Sequence, residues 1–102
     1  KHGLLGFAKT MALETGDVDV TINTLCPAYV KTPLVEQQIA AQAKENNMSE
    51  EDVINKIMLE PMPKKAFIEI DELAQTANFL IGSAAKNITG QTLILDGGWT
   101  AR

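Results

Sequence analysis

The sequence has one cysteine, no long apolar run and no excess of basic residues. Cys26 has no second cysteine to pair with, and no Cys/His cluster exists that could hold a structural zinc ion. The longest apolar stretches have only a few residues, whereas a membrane span needs roughly 20. The formal net charge of −4 argues against binding to a nucleic-acid backbone. We therefore expect no metal site, no membrane, no nucleic-acid partner and a cytoplasmic location.

The length of 102 residues and the hydrophobic fraction of 45% allow one domain-sized unit. The chain starts without an initiator Met or a capping residue and runs directly into helical periodicity, which is typical of the middle of a helix. Leu4, Phe7 and Met11 recur at helical spacing and predict an apolar face. Gly16 then predicts the end of this helix.

Two segments have the composition of strands. Residues 20–26 alternate apolar and β-branched residues with polar ones, which predicts a strand that ends at Pro27. Residues 92–95 form a short apolar run between Gly90 and the turn at residues 96–98, which predicts a buried strand. Residues 27–33 carry two prolines and no periodicity, so we expect a loop at the carboxyl end of the first strand.

The region between the strands is predicted to be helical. Residues 34–44 are compatible with a helix, and Ser49 followed by three acidic residues predicts the start of another helix, which Pro61 and Pro63 end. A further helix is predicted from Asp71 as its N-cap to Gly82. We interpret residues 33–63, approximately, as a helical lid.

The order helix, strand, lid helices, helix, strand predicts the α/β class. A strand, a helical crossover and a second strand imply a parallel pair. Two strands cannot close a core, and parallel sheets are normally covered on both faces. We therefore expect residues 1–102 to be the C-terminal part of one Rossmann-like domain with a doubly wound parallel sheet.

Four runs of residues carry a family resemblance that spans nearly the whole chain. They are KHGLLGF at residues 1–7, NTLCPAYVKTP at residues 23–33, ITGQ at residues 88–91 and DGGWTA at residues 96–101. Together they resemble the C-terminal part of the short-chain dehydrogenase/reductase family. The resemblance implies an NAD-dependent oxidoreductase that transfers a hydride and assembles as a homo-oligomer, typically a tetramer.

By this resemblance, Lys1 is the lysine of the family's Tyr-x-x-x-Lys motif. That lysine hydrogen-bonds the nicotinamide ribose and lowers the pKa of the tyrosine one helical turn earlier, so that the phenol can act as a general acid or base. The tyrosine, its partner serine and the glycine-rich phosphate loop would precede residue 1, and we expect the 102-residue chain alone to be inactive. Taken without the motif, a lysine at this position is an ordinary solvated charge.

Residues 27–32 resemble the family's nicotinamide-facing loop. The resemblance implies that Pro27 packs against the nicotinamide ring, and that the Val30 backbone and the Thr32 hydroxyl hydrogen-bond its carboxamide. The family usually has glycine where this chain has Ala28, which we also assign to the cofactor contact. The alternative interpretation, compatible with binding, is a proline-bounded turn in which Thr32 caps the next helix.

The substrate residues implied by the resemblance are Gln38 and Tyr29. Gln38 aligns with a glutamine that reaches from the lid to the substrate carboxylate in the enzymes that interconvert 3-hydroxybutyrate and acetoacetate. Tyr29 stands where those enzymes commonly carry tryptophan, so an aromatic wall is kept but is smaller. Three alternatives remain: a 3-oxoacyl thioester substrate, a sugar substrate, or a non-catalytic folding or association module.

Overall fold

The computed structural model describes residues 1–101 and has the predicted α/β alternation. The elements in chain order are α1 (His2–Glu14), β1 (Thr24–Pro27), α2 (Pro33–Glu45), α3 (Glu50–Val53), a π-helical turn (Ile54–Met58), α4 (Ile70–Ile81), a 3-10 turn (Ser83–Ala85) and β2 (Thr92–Leu95). The two strands pair in parallel in one sheet, as expected for strands joined by a helical crossover. No helix among these residues is long and apolar enough to cross a membrane.

The chain divides into two compact units. The first unit contains Lys1–Cys26 and Leu73–Ile94, and the second contains Pro27–Glu72 and residues 95–101. In the first unit Ala12 of α1 is buried against Gly90, where a Cβ atom would lie 3.4 Å from the Ala12 methyl. Gly90 also has φ of +69°, a conformation that glycine adopts without steric cost. A small residue on each side therefore lets α1 approach the turn before β2.

Asn23 links the segments that lead into the two strands. Its side-chain amide donates to the carbonyl of Ile88 at 2.7 Å, and its side-chain oxygen accepts from the backbone of Gln91 at 3.1 Å. The backbone N–H of Ile22 donates to the Thr89 hydroxyl at 3.1 Å. These bonds set the register in which β1 and β2 begin to pair.

The core of the second unit lies beneath α2 and α3. It includes a cluster of four buried apolar side chains, namely Val35, Ile39, Val53 and Met58. Val53 and Met58 have no exposed surface. Since fully burying an apolar side chain of this size contributes about 1.5–3 kcal/mol, these contacts stabilise the lid region.

The π-helical turn explains how Val53 and Met58 share this core. Five residues advance about 500° in an α-helix, which would place Met58 roughly 140° away from Val53 around the axis. Here the backbone of Leu59 donates to the carbonyl of Ile54 at 2.8 Å, a π-type bond between residues five apart. Because the turn is wider, both side chains face the core. The single helix predicted from Ser49 was therefore wrong in type beyond Val53, although Ser49 does cap α3.

Three sequence predictions need correction at the strands and at α4. The strand predicted over residues 20–26 begins only at Thr24, because the residues just before it bond to the turn at residues 88–91 partly through side chains. Helix α4 begins at Ile70, so Asp71 lies inside its first turn; the Glu72 carboxylate accepts from the Glu69 backbone at 2.7 Å just before it. Strand β2 has the predicted bounds, but Ile94 is 55% exposed because no element of residues 1–101 covers that face.

We predict that Met58→Ala lowers the free energy of unfolding by about 2–5 kcal/mol, because it removes a fully buried side chain and leaves a cavity. Ile57→Ala is the matched control on the same turn, since Ile57 is 38% exposed and its truncation should cost much less. Urea denaturation of the two variants measures the difference. Equal losses would contradict this description of the core.

Candidate functional site

The loop at residues 27–32 is held by backbone pairing on two sides. The N–H of Ala28 donates to the carbonyl of Leu95 at 2.9 Å. On the other side, Ile68 donates to the carbonyl of Tyr29 and accepts from the N–H of Lys31, both at 2.9 Å, which makes a parallel bridge at Val30. The segment predicted as an irregular loop is therefore an extended strand-like segment at its centre.

This bridge determines where the Val30 backbone points. In a parallel bridge the bonds to the partner strand come from the residues on either side of the bridged one, here Tyr29 and Lys31. The N–H and C=O of Val30 therefore point away from Ile68, and neither has a hydrogen-bond partner within residues 1–101. A donor and an acceptor on one residue fit a primary carboxamide, whose carbonyl oxygen accepts and whose NH2 group donates.

Thr32 is the N-cap of α2. Its backbone is extended, with φ of −133° and ψ of 160°, and its hydroxyl oxygen accepts from the Val35 backbone at 3.3 Å. Pro33 follows at the first helical position, where a missing N–H is harmless. The capping interpretation is confirmed, and it leaves the hydroxyl proton of Thr32 free to donate to a ligand.

Tyr29 is half-buried between the core and a second aromatic ring. It packs against the core cluster beneath α2. Its ring stacks on Trp99 with a centroid distance of 6.1 Å and an interplanar angle of 28°, within the range of favourable offset stacking. The orientation of Tyr29 therefore depends on the turn that carries Trp99.

The Asp96 carboxylate organises that turn. One carboxylate oxygen accepts from the Gly98 backbone at 2.9 Å, and the other accepts from the Thr100 backbone at 2.8 Å and from the Thr100 hydroxyl at 2.7 Å. Donors aimed at the ionised form favour it, and the Thr100 hydroxyl is the largest of the influences that hold the pKa of Asp96 below its ordinary value. The Asp-Gly-Gly segment is a turn, as the sequence predicts.

The remaining predicted site residues are exposed or half-exposed. Gln38 is exposed on α2, six residues after its cap and hence about 9 Å along the axis. Pro27 is exposed at the end of β1, and Ala28 is half-buried next to it. Lys1 is exposed directly before α1 and belongs to the first unit. The loop at residues 27–32 belongs to the second unit.

Three contributors to the site are absent from the sequence predictions. Ile68 aligns the loop, Trp99 packs on Tyr29, and Thr100 completes the Asp96 turn. The signal that could have drawn attention to Trp99 is its position as the single tryptophan, directly after a glycine turn at a strand end. Within residues 1–101 no group of three or more His, Cys, Asp or Glu residues could hold a metal ion.

Known proteins resemble this chain over its whole length. A family model described as enoyl-(acyl carrier protein) reductase matches residues 1–100. The D-beta-hydroxybutyrate dehydrogenase of Rhizobium meliloti (strain 1021) is 49% identical over 102 residues, which are 100% of this chain and 40% of that protein. The protein of the same name from Cupriavidus necator is 41% identical with the same coverage.

A solved structure confirms the fold. A short chain dehydrogenase family protein from Francisella tularensis superposes with a TM-score of 0.93 at 26% identity, over 100% of this chain and 42% of that one. The architecture is thus the C-terminal portion of a Rossmann-like fold. The chain belongs to the short-chain dehydrogenase/reductase family, and it spans about 40% of the length of the curated relatives it matches.

We predict that Thr32→Ala lowers the free energy of unfolding by about 1 kcal/mol, because the N–H of Val35 loses its cap. Thr32→Ser keeps the hydroxyl and should retain most of the stability. Chemical denaturation of both variants distinguishes a lost cap from a lost methyl group. A loss of the same size in Thr32→Ser would refute the capping role.

The lowered pKa of Asp96 predicts a pH dependence of stability. The folded-state pKa lies below the unfolded value of roughly 3.9, so the contribution of Asp96 is present above that pH and is lost as pH falls through the folded pKa. We expect the wild-type protein to be more stable than Asp96→Asn near neutrality, and the difference to shrink as the pH falls below the unfolded value. Thermal unfolding of the two proteins across a pH series measures this, and a difference independent of pH would contradict it.

Proposed function

We propose that this chain is part of an NAD-dependent dehydrogenase that interconverts D-3-hydroxybutyrate and acetoacetate. The observation that carries the proposal is the arrangement of the loop at residues 27–32. It presents a backbone donor and acceptor that have no partner within residues 1–101, beside a capping hydroxyl. The similarity to two D-beta-hydroxybutyrate dehydrogenases at 49% and 41% identity supports the substrate class.

In this proposal the loop binds the nicotinamide end of the cofactor. The N–H and C=O of Val30 and the hydroxyl of Thr32 would hold the carboxamide and thereby select the ring face turned toward the substrate. Pro27 and Ala28 would lie against the ring. The cofactor, when bound, supplies the hydride acceptor or donor, and the backbone pairing of Tyr29 and Lys31 with Ile68 keeps the loop in place.

Lys1 has an electrostatic role in the proposed reaction. Its ammonium group would hydrogen-bond the nicotinamide ribose and, through its positive charge, lower the pKa of the motif tyrosine. A phenol with a lowered pKa can take the hydroxyl proton of the alcohol as the hydride leaves, and can return a proton to the ketone in the reverse direction. Lys1 is exposed and directly precedes His2, the first residue of α1.

Gln38 and Tyr29 form the substrate end of the proposed site. The side-chain amide of Gln38 would donate to the carboxylate of the hydroxy acid, and Tyr29 would supply an apolar wall for its methyl group. The lid at residues 33–63 would exclude water from the reaction. We also propose that the enzyme works in the cytoplasm as a homo-oligomer, a tetramer by resemblance, with the hydroxy acid as its small-molecule partner.

A second candidate function is the reduction of a 3-oxoacyl thioester. Putative ketoacyl reductases of Streptomyces are 32% identical to this chain, and a polyketide ketoreductase solved with NADPH superposes with a TM-score of 0.86. A thioester has no free carboxylate, so a glutamine that binds the substrate carboxylate would not contribute to binding a thioester substrate. Gln38 therefore distinguishes the two functions.

We predict that Gln38→Ala in the full-length protein raises KM for 3-hydroxybutyrate about tenfold or more, because a hydrogen bond to a charged group contributes about 1.5–3 kcal/mol. Gln37→Ala is the matched control, since Gln37 is an exposed glutamine on the same helix. Steady-state rates with the free acid, a 3-oxoacyl thioester and both NAD and NADP make the comparison. Equal effects of Gln38→Ala on acid and thioester would exclude the carboxylate role.

A further inference from the structure

We infer that Asp96 and Thr100 are positioning residues, which act through Trp99 on Tyr29 and so set the shape of the substrate pocket. This inference rests on the proposed function, because it takes Tyr29 as a wall of that pocket. It concerns residues 96–100, for which the family resemblance implied no role in the site.

The turn is rigid because its polar groups are joined to one another. The Asp96 side chain accepts three hydrogen bonds, two of them from Thr100 and one from the Gly98 backbone. The N–H of Trp99 donates to the Asp96 carbonyl at 3.2 Å. The backbone on both sides of Trp99 is therefore tied to one residue, which leaves the indole little freedom to shift.

The turn is also anchored to the end of the lid. The N–H of Lys64 donates to the Gly97 carbonyl at 3.0 Å. A Cβ atom at Gly97 would lie 3.0 Å from the Met62 methyl, and one at Gly98 would lie 3.3 Å from the Pro63 ring. Both glycines have positive φ values, of 60° and 91°. Close backbone packing thus holds the turn against residues 62–64.

The backbone of Tyr29 is held by hydrogen bonding, whereas the position of its ring depends on the side chains around it. Its carbonyl is paired with Ile68, whereas its ring is half-buried and stacks on Trp99. A change in the Asp96 turn would therefore move the ring of Trp99 first and the ring of Tyr29 second, while the Val30 bridge would keep its place. The expected consequence is an altered substrate contact with little change in cofactor binding.

The test compares Thr100→Val with Thr100→Ser in the full-length enzyme. Thr100 is exposed, so neither change disturbs a core, and only the valine variant loses the hydroxyl that donates to Asp96. We expect Thr100→Val to raise KM for the hydroxy acid about two- to tenfold, the effect of one lost hydrogen bond, with kcat and the cofactor KM nearly unchanged. Thr100→Ser keeps the hydroxyl and should resemble the wild type.

A double-mutant cycle tests whether the effect passes through Tyr29. In a Tyr29→Ala background, Thr100→Val should cause no further rise in the substrate KM, because the ring on which the turn acts is gone. If Thr100→Val lowers only the unfolding temperature and leaves KM unchanged, or if its effect is the same in both backgrounds, the positioning role is wrong.

A spectroscopic readout separates this inference from the proposed function. In protein labelled with 5-fluorotryptophan, the 19F resonance of Trp99 is assigned by its absence in Trp99→Phe. We expect it to shift in Thr100→Val and in Asp96→Asn, and to stay in place in Thr100→Ser. An unshifted resonance in both altered turns overturns the inference whatever the substrate. A wild-type enzyme that does not oxidise hydroxy acids would overturn the proposed function alone. The 19F shift of Trp99 would then still show whether the Asp96 turn positions the ring.

Discussion

The parallel backbone bridge between Val30 and Ile68 is the interaction on which the second unit depends. It joins the segment that leaves β1 to the segment that follows the lid, so both ends of the lid are fixed at one place. The same pairing turns the Val30 N–H and C=O outward and holds the backbone of Tyr29. The proposed cofactor loop and the proposed substrate wall thus share one pair of main-chain hydrogen bonds.

Local sequence patterns predicted those helices and strands that are determined by residues close together in the chain. The apolar spacing of α1, the Thr32 cap with Pro33 of α2, and the apolar run of β2 are each decided within a few residues, and their positions agree with the structure. The bridge at Ile68 and the π-helical turn arise from contacts between distant segments. The bridge pairs Ile68 with Val30, 38 positions earlier, and local periodicity does not predict which segment will be the partner.

The candidate site likewise contains features that local sequence patterns predict and features that depend on distant contacts. The cap at Thr32 could be predicted from the residues, whereas the roles proposed for Lys1, Val30 and Gln38 are implied by the resemblance to a family. The stack of Tyr29 on Trp99 joins residues seventy positions apart, and no local pattern predicts such a contact. Lys1 lies in the first unit, and its role is implied by the family resemblance rather than by any contact in the structure.

The π-helical turn at Ile54–Met58 has a consequence for how lids of this kind can vary in length. A π turn holds one residue more than the α turn it replaces, and the extra residue is accommodated where the backbone of Leu59 reaches back to Ile54. The side chains at the middle of the turn, Asn55 and Lys56, are exposed. The lid can therefore lose this residue and return to an α turn with Val53 still buried and both of its ends still anchored, so its length can change without a change of fold.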